Sequence, residues 1–299
     1  MGAIEVTNLR LAYGELQAVD GVSFEVAEGE FFGILGPNGA GKTTTLEMIE
    51  GLRQPDSGDV RLLGQPPWPR KDKLLARIGV QLQASSFFER LTAREQIHTF
   101  AALYGVGRGP ADDWLERVGL AGKADTRTED LSGGQTQRLS IACALIHDPE
   151  VVFLDEPTAG LDPQARRNLW DLLSQLNESG RTVVLTTHYM DEADTLADRV
   201  AIMDRGKILK LDTPAALVRG LAAPVHISLG PGQLSREDAS TIRGVDEATE
   251  EGGDLVLSTR TPADVLTQLA STDRLDGLQV KAATLEDVFL DATGREYRA

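Results

Sequence analysis

Short apolar runs alternate with longer stretches of helical periodicity through the first 220 residues. Residues 3–9 and 19–26 alternate apolar with polar positions and are rich in Thr, Val and Phe. That predicts two β-strands, with Tyr13 in the turn between them. Residues 31–35 form a continuous apolar run, the mark of a strand covered on both faces, and a helix is predicted from Lys42 to Glu50. Asp56-Ser57-Gly58-Asp59 reads as a turn into a strand over 60–63, and Gln65-Pro66-Pro67-Trp68-Pro69 as a loop. A strand over 78–83 precedes a block with helical pattern, about 84–122, in which Thr92 and Glu95 stand at the capping-box spacing. Further helices are expected over 131–147, 162–178 and 191–197, with Asp162-Pro163 as a cap followed by a first-turn proline. Strands are expected over 151–154 and 182–187, and a hairpin over 199–204 and 207–211 around Arg205-Gly206.

Strands alternating with helices imply an α/β fold with a mixed, largely parallel sheet, its mixed edge supplied by the antiparallel N-terminal pieces. The helical block, about 84–150, interrupts that pattern and reads as an inserted subdomain. Composition shifts near Gly220: residues 231–254 hold seven acids and two arginines. The tail reads strand 225–229, helix 235–243, strands 245–249 and 254–259, helix 262–270, strand 277–282 and helix 284–292. This is close to the β-α-β-β-α-β order of ferredoxin-like folds. Residues 1–220 are therefore expected as the main domain and 221–299 as a small α/β accessory domain.

Chemistry enters at Gly36-Pro37-Asn38-Gly39-Ala40-Gly41-Lys42-Thr43-Thr44, which fits the phosphate-loop pattern G-x-x-x-x-G-K-[ST]. It lies between the apolar strand and the helix that the motif requires. Glycines let the backbone curl so that successive N–H groups face one anion, and the helix dipole adds to this. Lys42 is expected on the β- and γ-phosphates and Thr43 on Mg²⁺. Asp155 ends the apolar run 151–154 and is placed to hold Mg²⁺ through water, with Glu156 beside it as a candidate general base. Leu131-Ser132-Gly133-Gly134-Gln135 is a second glycine pair at a helix start, a common turn by itself, but one standing upstream of this acidic strand end.

Composition narrows the partners. The net charge of −16 and pI of about 4.7 argue against nucleic acid, which needs basic patches. Cys143 is the only cysteine, which excludes a disulfide framework and points to a reducing compartment. His98, His147, His188 and His226 show no metal-ligand spacing. No apolar run is long enough to span a bilayer, and Met1 to Arg10 lacks the basic start and apolar core of a signal peptide.

Taken together, these motifs resemble the nucleotide-binding subunit of ATP-binding cassette (ABC) transporters. Gly36–Thr43 looks like Walker A, Leu131–Gln135 like the LSGGQ signature, and Asp155 and Glu156 like the Walker B aspartate and catalytic glutamate. Ala159-Gly160-Leu161-Asp162 resembles the D-loop, His188 the switch histidine, and Tyr13 stands where the family places an adenine-stacking aromatic. Gln83 resembles the Q-loop glutamine, a catalytic and Mg²⁺-contacting residue. Gln81 competes for that role, and Leu82 stands where the family has proline. The tail Leu285-Glu286-Asp287-Val288-Phe289-Leu290, then Thr293-Gly294-Arg295, is similar to that of ATPases in two-component drug and antibiotic exporters of the daunorubicin-resistance type. The resemblance implies an Mg²⁺-dependent ATPase on the cytoplasmic face of the membrane, bound to a separate permease. It also implies an ATP-dependent head-to-tail homodimer, each ATP lying between the Lys42 loop of one chain and Ser132-Gly133-Gly134 of the other. The alternatives are a non-transport ABC ATPase and a non-hydrolysing regulatory module. The 90 residues between Lys42 and Ser132 leave no room for the long coiled coil of chromosome-structuring members, and Glu156 disfavours a module that does not turn over. A permease is expected to dock on the block after Gln83, beginning at Ala84-Ser85-Ser86-Phe87-Phe88, where two adjacent phenylalanines cannot share one core face.

Overall fold

The computed structural model describes residues 2–82, 87–272 and 274–294, and it divides into two compact units, the first ending at Pro214 and the second starting at Ala215. The first unit opens with β1 (Gly2–Tyr13) and β2 (Leu16–Ala27), a long antiparallel hairpin whose alternating residues Ile4, Val6, Leu9 and Leu11 are buried. Tyr13 is the last residue of β1, paired with Leu16, and so sits at the strand end instead of in the turn. Then come β3 (Phe31–Leu35), α1 (Lys42–Ile49) and β4 (Ser57–Leu62). A short α2 (Asp72–Leu75), for which the sequence carries little periodicity, precedes β5 (Ile78–Gln81).

The inserted block consists of α3 (Ala93–Leu103), α4 (Arg108–Arg117) and α5 (Gly133–Leu145). The Thr92–Glu95 capping box at the start of α3 is formed: the Glu95 N–H reaches Thr92 Oγ1 at 3.2 Å and the Thr92 N–H reaches Glu95 Oε2 at 2.8 Å. The chain returns through β6 (Val151–Asp155), α6 (Pro163–Glu178), β7 (Thr182–Thr187), α7 (Met190–Leu196), β8 (Arg199–Asp204) and β9 (Lys207–Asp212); α8 (Pro214–Gly220), expected with the main domain, falls in the second unit from Ala215 onward.

The main sheet has the order β5-β6-β7-β3-β8-β9, parallel except for the β8–β9 hairpin. β3, β6 and β7 are buried at every residue, as expected of parallel strands covered on both faces. The N-terminal strands do not form its mixed edge. They make a separate antiparallel sheet, β2-β1-β4, and β9 supplies the mixed edge instead. One core joins the two sheets, running from Ile4, Val6 and Phe24 through Leu46 and Ile49 of α1 to Phe32, Phe153 and Val184. Phe24 stacks on Phe32 with ring centroids 4.9 Å apart. Such buried aromatics contribute roughly 1.5–3 kcal/mol each, and they join two sheets that share no strand ladder.

The second unit contains β10 (Val225–Leu229), α9 (Arg236–Thr241), β11 (Glu247–Glu251), β12 (Asp254–Thr259), α10 (Pro262–Ser271), β13 (Gln279–Lys281) and α11 (Leu285–Thr293). Its strands form an antiparallel sheet in the order β11-β12-β10-β13, the β-α-β-β-α-β succession read from the sequence. Its own core holds Ile227, Leu229, Ala239, Leu255, Leu257, Val265 and Leu269. Among the described residues, no helix is long and apolar enough to cross a membrane.

Candidate nucleotide site

β3 ends at the centre of the main sheet, and the chain turns there into α1 through Gly36–Gly41. Two glycines make this turn possible. A Cβ on Gly36 would lie 2.2 Å from the Met203 carbonyl oxygen, and one on Gly41 would lie 2.4 Å from that of Ala18. Gly41 also holds φ at +101°, outside the range of ordinary side-chain-bearing residues. The loop is pinned by the Gly206 N–H, which donates to Ala40 O at 2.8 Å, and by the Gly36 N–H, which donates to Thr187 O at 3.2 Å. Ala40 is buried beneath it, whereas Asn38 and Gly39 are exposed at its tip and Pro37 is half-buried. A cavity of about 190 Å³ sits over the loop, lined by Asn38, Gly39, Gly41, Lys42, Thr43 and Thr44 with Glu156 opposite. The N–H groups of the first turn of α1 have no intrahelical acceptor, so this mouth suits an anion.

Five sequence-predicted side chains converge at this mouth: Lys42, Thr43, Asp155, Glu156 and His188. Lys42 is 4% exposed, and its Nζ donates to Gly36 O at 2.9 Å and Pro37 O at 3.2 Å. It also pairs with Glu156 Oε1 at 3.1 Å, while Glu156 Oε2 lies 3.1 Å from His188 Nδ1. Glu156 thus bridges the loop lysine and the histidine that follows β7. Its backbone occupies the left-handed region at φ +48°, unusual for a glutamate, and its N–H donates to both Thr186 O and Thr186 Oγ1, each at 3.1 Å.

Asp155 is 2% exposed at the end of β6. Thr43 Oγ1 donates to its Oδ1 at 3.2 Å, and Thr186 Oγ1 donates to the same oxygen. Burial pushes the Asp155 carboxyl above its ordinary range. The hydrogen bonds from Thr186 and Thr43 and the charge of Lys42 oppose that shift, whereas Glu156 adds to it. A threonine hydroxyl beside one carboxylate is a set of hard oxygen donors that suits Mg²⁺, which takes few protein ligands and completes its shell with water and phosphate. Gln83, the third expected Mg²⁺ contact, lies outside the described residues, as do Ala84, Ser85, Ser86 and Arg295. Gln81 is buried at the end of β5, and its amide nitrogen donates to Leu82 O at 2.6 Å.

Other expected residues stand apart from this cluster. Tyr13 is 45% exposed, and the Arg53 guanidinium lies 5.2 Å from its ring centroid, held there by Glu47 at 2.7 Å. Ser132, Gly133, Gly134 and Gln135 do not line the cavity over the loop. Ser132 caps α5 in a reciprocal box: its Oγ accepts the Gln135 N–H at 3.4 Å, and its N–H donates to Gln135 Oε1 at 3.0 Å. Asp162 likewise caps α6, accepting the Ala165 N–H at 2.8 Å. Sequence reasoning passed over Thr186, Arg53 and the Ser132 box. The Ser-x-x-Gln spacing signals the box, but nothing local signals the other two, whose partners are remote in the chain.

The comparisons with known proteins agree with this geometry. Residues 19–159 match a family model described as ABC transporter. The chain is 41% identical, over 98% of its own length and 98% of the relative's, to the Nod factor export ATP-binding protein I of Paraburkholderia xenovorans (strain LB400). It is 37% identical, over 99% of each chain, to the linearmycin resistance ATP-binding protein LnrL of Bacillus subtilis (strain 168). Among solved structures, a dimeric ATP-binding cassette in a post-hydrolysis state bound to ADP and Pi is similar with a TM-score of 0.66 and 30% identity. That likeness covers 70% of this chain and 98% of the other.

Proposed function

The chain belongs to the ABC transporter family as one of its ATP-binding, ATP-hydrolysing subunits, and on that premise we propose that it powers a separate transmembrane permease exporting a drug, antibiotic or lipid-like compound. The observation that carries the catalytic half is Glu156, held at once by Lys42 and His188 at the mouth of the phosphate loop. The export half is supported by relatives matched along nearly the whole chain, one named for Nod factor export and the other for linearmycin resistance.

Lys42 pairs with Glu156 and with two loop carbonyls, and a triphosphate would compete for it. Phosphate oxygens then replace these partners, and the Glu156 carboxylate is released to polarise the attacking water. His188, already beside Glu156, contacts the γ-phosphate. Tyr13 stacks on adenine with the face that Arg53 leaves open. Thr43, and Asp155 through water, would hold Mg²⁺, which would supply a Lewis acid against the charge developing on the transferred phosphoryl group. Gln83, Asp162 and Ser132 to Gln135 take the roles that the family resemblance gives them, the last group acting on the ATP of a second copy. The subunit works on the cytoplasmic face of the membrane through its permease.

The docking surface we assign to the permease is the groove beside the residues that follow Gln83. Phe88 is 57% exposed there, and Phe87 lines the groove wall. The test is transport into inside-out vesicles carrying chain and permease together. ATP-dependent uptake of amphipathic compounds is expected with the wild-type chain and is lost with Glu156→Gln. Equal uptake with Glu156→Gln overturns the reading.

A further inference from the structure

Helix α1 ties the phosphate loop to a second cavity. Lys42 opens it, and Glu50 is the capping residue at its other end, about 12 Å away at 1.5 Å per residue. Glu50 lines a groove of about 310 Å³ whose walls are mainly apolar, among them Ile78, Val80, Phe87, Phe100 and Cys143. The Glu50 side chain is 2% exposed, and neither of its carboxylate oxygens has a hydrogen-bond partner among the described residues. Arg70 lines the same groove without bonding to it. Burial pushes the Glu50 carboxyl up to about 8; the Asp155 and Glu47 carboxylates push the same way, and Arg70 opposes them.

A second acceptor shares this groove. The Nε2 of His147 lies 2.9 Å from Ile78 O, so Nε2 carries the proton and Nδ1 presents a lone pair. That Nδ1 is also buried and has no hydrogen-bond partner among the described residues. Burial holds the imidazole below its usual range, so it stays neutral and accepts. Buried acceptors without donors cost folding free energy and gain nothing within the chain, so their place in a groove implies a donor supplied from outside.

We propose that Glu50 is the specificity-determining anchor of the groove and takes a lysine or arginine side chain carried on an otherwise apolar segment of the permease. The inference rests on the docking reading given above and names the chemistry of its partner. Once a guanidinium or ammonium draws off the proton that burial holds on Glu50, the two carboxylate oxygens accept its N–H groups, the His147 nitrogen offers a further acceptor in the same groove, and the apolar walls take its alkyl stem. A cation seated there grips the end of the helix that begins at Lys42, so docking and the phosphate loop share one rigid element.

Two measurements test it. In the first, n-butylguanidinium is titrated against the full chain beside its neutral isostere n-butylurea, with chemical shifts around Glu50 and His147 as the readout. The cation is expected to bind at least about tenfold tighter, and Glu50→Gln should abolish the difference while ATP hydrolysis by the isolated chain stays at the wild-type rate. Equal binding of the two compounds overturns the proposal. In the second, a photo-crosslinker replaces Leu52, which lines the groove and is 41% exposed, in membranes carrying the permease. The expected product is a crosslink to a permease peptide containing Lys or Arg, with its yield cut at least about tenfold by Glu50→Leu. A crosslink that Glu50→Leu leaves undiminished, or a crosslinked peptide without a basic residue, overturns the anchor while the docking reading stands. No crosslink to the permease overturns the docking reading itself and the inference with it.

Discussion

Glu156 is the residue on which binding and chemistry separate. Its carboxylate is committed to Lys42 and His188, and a glutamine keeps an oxygen for Lys42 while giving up the charge that, on the proposed reading, polarises water. Glu156→Gln is therefore expected to bind ATP with near-wild-type affinity and to hydrolyse it roughly 10²–10⁴-fold more slowly. Filter binding and single-turnover kinetics check the two halves separately. Glu50 gives a pH signature. Its carboxyl rises from an ordinary 4.5 to about 8, so the native chain holds this proton more tightly than the unfolded chain. Raising the pH between those values removes stability, by up to about 1.4 kcal/mol per pH unit. Urea midpoints should show the wild type losing ground to Glu50→Gln between pH 5 and pH 8, with no such drift below pH 4. At this scale the sequence was legible where chemistry needs neighbours in the chain: Lys42, Thr43, Asp155 and Glu156 announce themselves by spacing. Thr186, Arg53 and Glu50 do not, because Asp155, Tyr13 and the groove come to them only through folding.

Among elements, the phosphate loop tolerates little change at its glycines. Gly41→Ala meets the Ala18 carbonyl and a left-handed φ together. The backbone conformation alone costs about 1–2 kcal/mol, and the clash forces the loop off the sheet edge. The variant is expected to melt lower and to lose ATP binding; calorimetry and nucleotide titration read these effects independently. Strand and helix alternation was legible because β3 is apolar throughout, β6 is apolar up to Asp155, β7 is rich in β-branched residues, and α3 and α6 carry caps in their sequences. Short elements were not: α2 spans four residues, too few for any period to appear. Nor does alternation say which sheet a strand joins. β1, β2 and β4 look like edge strands of the main sheet and instead form their own, which shares one core with α1 and β3 through Phe24 stacked on Phe32.

At the scale of the whole molecule, the signature segment is the part that one chain leaves unused. Ser132 and Gly133 are exposed at the start of α5, and none of Ser132 to Gln135 lines the cavity over the phosphate loop. The capping box fixes this helix start from within its own chain, so a second copy would meet a preformed surface. A similar solved cassette is dimeric with ADP and Pi bound. The expectation is a dimer closed around ATP and opened by hydrolysis, so that Glu156→Gln, which retains ATP, accumulates it. Each copy carries a net charge of −16, and repulsion between copies weakens the dimer at low ionic strength. Size-exclusion chromatography of Glu156→Gln with ATP should therefore show a dimer, more of it at 0.15 M salt than at 0.01 M. Adding Ser132→Arg should return it to monomer, because the longer side chain occupies the place where the partner's γ-phosphate approaches. That substitution also removes a helix cap, at a cost of about 1 kcal/mol, so ATP binding by the monomer is measured beside it. Retained binding with lost dimerisation assigns the effect to the interface, whereas a monomer in both variants leaves the exposed signature without a partner.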